Sequence, residues 1–309
     1  FLMYADHLDL HSFPPRRSSD LDKTSSGAVT GSFAGKPENA AFTADGYIWR
    51  LSYTGGTGND VTLTLLRPSA FTNRWDNTAT GATLLWTHDA NWQARAAALP
   101  SPDATVAFLT GQTLSPGTLA SSNDTPGTFQ LATLRLAGTG PDAAPAAVTL
   151  SGNPLSLGDG TAPAALQLDA DAGPGGLAYT LALPLALAKT ASVTGSGSAA
   201  FTLSGPLSGP GGLAKSATAA LTLSGTNTHA GGTALAPHSG LLRAVADTSR
   251  NPLGTGPVSI ATGAALALDI ANTAPATLTL PNAFSGTGLL TLTFAAPLPR
   301  ATPLPGLSG

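Results

Sequence analysis

The chain alternates apolar with small hydroxylated residues over short runs. Val61-Thr62-Leu63-Thr64-Leu65, Val148-Thr149-Leu150, Leu155-Ser156-Leu157, Leu166-Gln167-Leu168, Leu278-Thr279-Leu280 and Leu290-Thr291-Leu292-Thr293-Phe294 all read this way. A period of two places Leu and Val on one face of a strand and Thr or Ser on the other. Gly, Pro, Asn and Ser clusters separate the runs, as turns require. Helical periodicity is nearly absent. Ala94 to Leu99 is short and ends at Pro100, and Leu181 to Lys189 contains Pro184, which favours a bent or edge strand. The pattern predicts an all-β fold.

The runs also repeat. Phe201-Thr202-Leu203-Ser204-Gly205 recurs twenty residues later as Leu221-Thr222-Leu223-Ser224-Gly225, and Leu241-Leu242-Arg243-Ala244-Val245 begins twenty residues after that. A short fixed period predicts stacked supersecondary units, each in contact mainly with its neighbours. Two architectures satisfy the alternation: a parallel β-helix (β-solenoid), and an array of antiparallel β-sandwiches. The period favours the β-helix.

Composition narrows the chemistry. Only 10% of residues are charged, well below the usual quarter. The 14 Lys and Arg against 17 Asp and Glu give no basic surface for nucleic acid or anionic lipid. There is no cysteine, which excludes disulfides, thiolate metal sites and cysteine nucleophiles. The longest apolar run, Leu181 to Ala188, is far short of a membrane-spanning helix.

Four segments are expected. Residues 3 to 21 resemble the translation of a short-read sequencing adapter, departing from it at Ala5, Leu8 and Pro15, so 1–21 is read as an assembly artefact and set aside. Without Asp6, Asp9, Asp20, Arg16 and Arg17 the balance is 12 cations to 14 anions. Residues 22–66 are read as the C-terminal end of a preceding β module, closing with Tyr47 to Tyr53, a glycine-rich turn and Val61 to Leu65. Residues 67–110 carry Trp75, Trp86 and Trp92 and are read as the start or cap of the next module. Residues 111–309 are the β-solenoid repeat array, and the chain is expected to be truncated at both ends.

Between 201 and 268 the sequence resembles the bacterial autotransporter-associated β-strand repeat. The residues that carry the resemblance are Gly209 to Lys215, Leu221 to Gly225, Asn227-Thr228-His229-Ala230-Gly231-Gly232-Thr233, Gly240-Leu241-Leu242 and Leu253 to Val258, with His229 where the repeat usually has Tyr. The resemblance implies a right-handed parallel β-helix passenger displayed outside a Gram-negative outer membrane. It transfers no catalytic residue, no cofactor and no metal.

Candidate sites are few. Gly55-Gly56-Thr57-Gly58-Asn59-Asp60 matches the start of a calcium-binding nonapeptide, with Asp60 as an oxygen ligand. It occurs once and has Thr62 where a large aliphatic residue is expected, so a tight glycine hairpin is the favoured reading. Asp169 and Asp171 stand two apart without Arg or Lys within fifteen residues, which fits a solvated strand end better than a carboxylate site. His229 and His238 lack an evident third ligand, and together with His88 they lack the nucleophile elbow of a hydrolase. His229 and His238 are read as surface turn residues. Trp75, Trp86 and Trp92 are read as a cap, and alternatively as a platform for sugar rings.

The resulting expectation is a non-enzymatic, monomeric surface or secreted stalk, adhesin-like, with any binding in loops such as Ser121 to Gly127. Its partner would be a surface glycan or a neighbouring cell. The alternatives are a glycan-binding module centred on Trp75, Trp86 and Trp92, and a polysaccharide-active β-helix enzyme with Asp and Arg or Lys grouped on neighbouring coils.

Overall fold

The computed structural model describes residues 18–21, 27–44, 47–56, 58–68, 70–247, 249–271 and 279–294. Residues 1–17 and 295–309 lie outside that range, as does Leu278 of the run Leu278-Thr279-Leu280. The chain divides into two compact units, residues 1–71 and 72–309.

The first unit is a four-stranded antiparallel sheet in the order Ser18–Leu21, Asp60–Pro68, Tyr47–Gly55, Ala41–Ala44. Its centre is the hairpin foreseen from alternation on both sides of a glycine-rich turn. Ile48 and Leu51 are its buried apolar side chains. Ser18–Leu21, at the end of the segment set aside as an artefact, lies along the outer edge of Asp60–Pro68. An open sheet edge accepts almost any extended segment, so this pairing carries no information about the segment's origin.

The second unit is a parallel β-helix. Two nine-stranded sheets and one four-stranded sheet run along it; each coil of chain supplies one strand to each of the two long sheets in turn, and four consecutive coils add a strand to the third. The first sheet runs from Thr72–Trp75 through Thr105–Phe108, Thr133–Leu136 and Ala165–Leu168 to Phe284–Gly286. The second runs from Thr83–Leu85 through Gly117–Asn123, Ala146–Gly152 and Leu177–Leu181 to Leu289–Phe294. The third comprises Phe129–Leu131, Leu155–Leu157, Leu185–Leu187 and Leu207–Ser208. Every ladder within these sheets is parallel, which rules out the antiparallel sandwich. Among the described residues the only helical element is one 3-10 turn, Asp89–Asn91. Ala94 to Leu99 is irregular, and Pro184 sits at the corner between Leu177–Leu181 and Leu185–Leu187.

The twenty-residue repeat is the coil itself. Phe201 pairs with Leu221, Thr202 with Thr222 and Leu203 with Leu223. Elsewhere the period stretches, because loops enter at the corners while strand register is kept. Thr72 pairs with Thr105, 33 residues on, and Val258 with Phe284, 26 on. Parallel stacking puts like positions above like, so each inward position becomes a column. Leu119, Val148, Tyr179, Phe201, Leu221, Leu242 and Leu266 form one such column on the second sheet, all buried. Tyr179 and Phe201 stack within it, 6.1 Å apart and 14° from parallel. The matching outward column presents Thr149, Thr180, Thr202 and Thr222 in register. The core is one continuous cluster from Trp75 to Leu268.

Candidate functional site

Gly55 to Asp60 forms the turn of the Tyr47–Gly55/Asp60–Pro68 hairpin, with Gly55 opposite Asp60 and Gly58 N–H donating to Gly55 C=O at 2.8 Å. Gly56 and Gly58 have φ of 54° and 96°, which only glycine adopts without strain. The glycines are therefore accounted for by the turn. Among the described residues no group of three His, Asp or Glu side chains is placed to hold a metal ion.

Asp169 and Asp171 do not act together. Asp169 accepts from Arg135 Nε at 2.8 Å, one coil away, and Asp171 lies 3.5 Å from Ser198 Oγ. Sequence distance concealed Arg135, because coil stacking and not chain proximity supplies the partner. Arg243 and Asp269 repeat the geometry on the second sheet at 3.0 Å. In both, the Asp lies two residues beyond the Arg's register partner, Gln167 or Ala267. All four side chains are partly exposed, and such pairs contribute at most ~1 kcal/mol.

The three indoles interlock. Trp75 and Trp92 meet edge to face at 5.1 Å, Trp86 and Trp92 at 5.7 Å, and Trp86 and Phe129 at 5.1 Å. Each ring N–H is satisfied: Trp75 donates to Asn77 C=O, Trp86 to Ser121 Oγ and Trp92 to Trp86 C=O. All three are at most 1% exposed, so no indole face is open to a sugar ring. They close the core at the first coil. Beside them Asp76, Asn77, Thr78, Ala90 and Arg95 line a shallow open cleft of about 350 Å³. The stretch Ser121 to Gly127 is more structural than foreseen. Ser121 and Asn123 are buried, Asn123 Nδ2 donates to Asn153 C=O, and Thr87 binds the Asp124 carboxylate through its N–H and hydroxyl.

His229 is fully buried, a correction to its expected surface position; His88 and His238 are exposed. His229 Nε2 lies 3.1 Å from Thr233 Oγ1, and burial lowers the ring's pKa, keeping it neutral. Its Nδ1 has no partner. The Asn227-to-Thr233 motif is a corner device. Asn227 Oδ1 accepts from Leu207 N–H and its Nδ2 donates to Pro252 C=O, joining three coils. Gly211-Gly212 and Gly231-Gly232 let consecutive corners touch: a Cβ on Gly212 would lie 2.6 Å from the carbonyl oxygens of both Gly231 and Gly232.

The least expected group is Lys215. It occupies an inward column of the first sheet, between Val193 and Leu235, and is 1% exposed. Nζ donates to Ala217 C=O at 2.6 Å and Gly240 C=O at 2.8 Å. Burial pushes its pKa down from 10.5 to about 8. The alternation of Leu213-Ala214-Lys215, inward, outward, inward, was the sequence signal that could have placed it.

No protein-family model matches the chain, and neither the curated proteins nor the solved structures yield a match. Among the described residues no helix is long and apolar enough to cross a membrane.

Proposed function

We propose that the protein is a structural passenger, an adhesin-like stalk displayed at or secreted from a Gram-negative cell surface. One observation carries the reading: a single, largely apolar core runs from Trp75 to Leu268 through eight of the nine stacked coils of two parallel sheets. Eight strand spacings of ~4.8 Å give a stack roughly 40 Å long. Such a body suits holding other regions at a distance, since each coil is braced by the next. The corner chemistry of Asn227 and the stacked glycines fits this use, because its hydrogen bonds are spent between coils. The alternative centred on Trp75, Trp86 and Trp92 has the burial of all three rings against it.

The test is localisation in the source cells. Antibodies raised against residues 72–294 should label intact cells, and external protease should remove the signal. Labelling only after permeabilisation would overturn the proposal. A glycan panel probed with the same protein tests the alternative.

A further inference from the structure

His229 sits where two coils close on each other. Its Nε2 lies 3.1 Å from Thr233 Oγ1, and the Thr233 hydroxyl donates its one proton to Leu253 C=O at 3.3 Å. Thr233 therefore accepts from the ring, which fixes the proton on Nε2 and leaves Nδ1 as a bare acceptor. Nδ1 is buried and has no hydrogen-bond partner. Gly254 closes over it: a Cβ there would lie 2.7 Å from Nδ1 and 2.6 Å from the adjoining ring carbon Cε1. No carboxylate is at hand to neutralise an imidazolium. The corners packed on either side of the ring, residues 205–212 and 251–257, carry no charged side chain, and neither do residues 270–294. Asp247 and Arg250, just before the second of those corners, pair with each other at 3.5 Å. Lys215, on the strand beside Thr233–Leu235, is itself a cation and is bound to Ala217 and Gly240 C=O. His238, on the same coil, is exposed. Burial holds the His229 pKa below its ordinary value, and no opposite charge offsets it.

We propose that His229 is an acid-sensitive latch: a proton on Nδ1 releases the corner 251–257 from the corner 227–233, while the coil beneath stays stacked. The direction of release follows from the contacts. Nδ1 faces Gly254, so a new N–H there is buried without an acceptor and reaches water only when the 251–257 side lifts. The bonds given up are Asn227 N–H to Asn251 C=O at 2.8 Å, Asn227 Nδ2 to Pro252 C=O at 2.6 Å, Thr233 N–H to Pro257 C=O at 2.9 Å and Thr255 N–H to His229 C=O at 3.0 Å. The coil beneath is held by other donors: Thr228 N–H to Leu207 C=O, Ala230 N–H to Gly209 C=O and Gly231 N–H to Gly211 C=O. The two sets can therefore separate. Sub-global opening of this kind needs only the local contacts to fail. The latch makes one corner of the solenoid yield on acidification, independently of the passenger reading.

Amide hydrogen exchange of the full chain, resolved by residue with NMR between about pH 7.5 and 5 and corrected for intrinsic rates, tests this. The opened corner exposes a ring with its ordinary pKa, so its population rises by up to about tenfold for each pH unit below ~6.5. Exchange at Asn227, Thr233 and Thr255 should accelerate accordingly, and exchange at Thr228, Ala230 and Gly231 should not. His229→Gln keeps a polar side chain that takes up no proton, and should abolish the acceleration. Nitrogen NMR shifts of the wild-type ring need no variant: they should show the Nε2–H tautomer at neutral pH. Acceleration absent, equal in both sets of amides or surviving in His229→Gln would overturn the proposal, as would an Nδ1–H tautomer at neutral pH.

Discussion

Lys215 offers the sharpest quantitative test of how this core tolerates charge. Its side chain stands between Val193 and Leu235, and its ammonium has two backbone carbonyls and no carboxylate as hydrogen-bond partners. In the unfolded chain the amine titrates near 10.5; in the fold burial brings it to about 8. Between those values the unfolded state binds more protons than the native state, so stability rises with pH across that window. Below about pH 8 the group is charged in both states and the full penalty applies. The gap of about 2.5 units corresponds to about 3 kcal/mol. Lys215→Met keeps the stem and removes the charge. The difference in unfolding free energy between wild type and Lys215→Met isolates this group, because other titrations cancel. It should shift by about 3 kcal/mol in favour of wild type between pH 7.5 and 10.5. Urea unfolding followed by tryptophan fluorescence at several pH values measures it, since the buried indoles belong to the same continuous core cluster as Val193 and Leu235, the register neighbours of Lys215. A difference that stays constant with pH would refute the reasoning, because the amine would then titrate alike in both states.

Three further outcomes are expected. Burial lowers the His229 pKa below its ordinary 6.5, so wild type should lose stability as pH falls through about 6.5, where only the unfolded chain takes up the proton; His229→Gln should flatten that loss in the same urea assay. Trp86→Ala should destabilise by about 3–5 kcal/mol and abolish much of the near-ultraviolet circular dichroism, since the ring is fully buried and meets Trp92, Phe108 and Phe129. Gly212→Ala should cost more than ~2 kcal/mol, whereas Gly127→Ala, with a positive φ but open space around its Cβ position, should cost about 1–2 kcal/mol; urea midpoints decide between them.

Much of the fold was legible because stacking is a local rule repeated. The phrase shared by Phe201 to Gly205 and Leu221 to Gly225 predicts that the copies lie side by side, and they pair residue for residue. The Gly55-to-Asp60 turn was legible for the same reason, since a hairpin is specified by its own residues. The ion pairs were not. Arg135 meets Asp169 across a coil lengthened by loops, and no fixed period reveals that spacing. His229 was misplaced because its motif reads as a turn, whereas the corner turns inward there and buries the ring.

The sequence alone determined the class of structure and its inner and outer faces. Period-two alternation separates Leu and Val from Thr and Ser whatever the strands pair with. Tertiary structure decided what that pattern leaves open: parallel rather than antiparallel pairing, the length of each coil, and which side chains from distant residues share a column. Those depend on hydrogen bonds and contacts between coils, and no single coil contains them. The same holds for Lys215, which its strand's alternation points inward but whose energetic meaning appears only when the next coil closes over it.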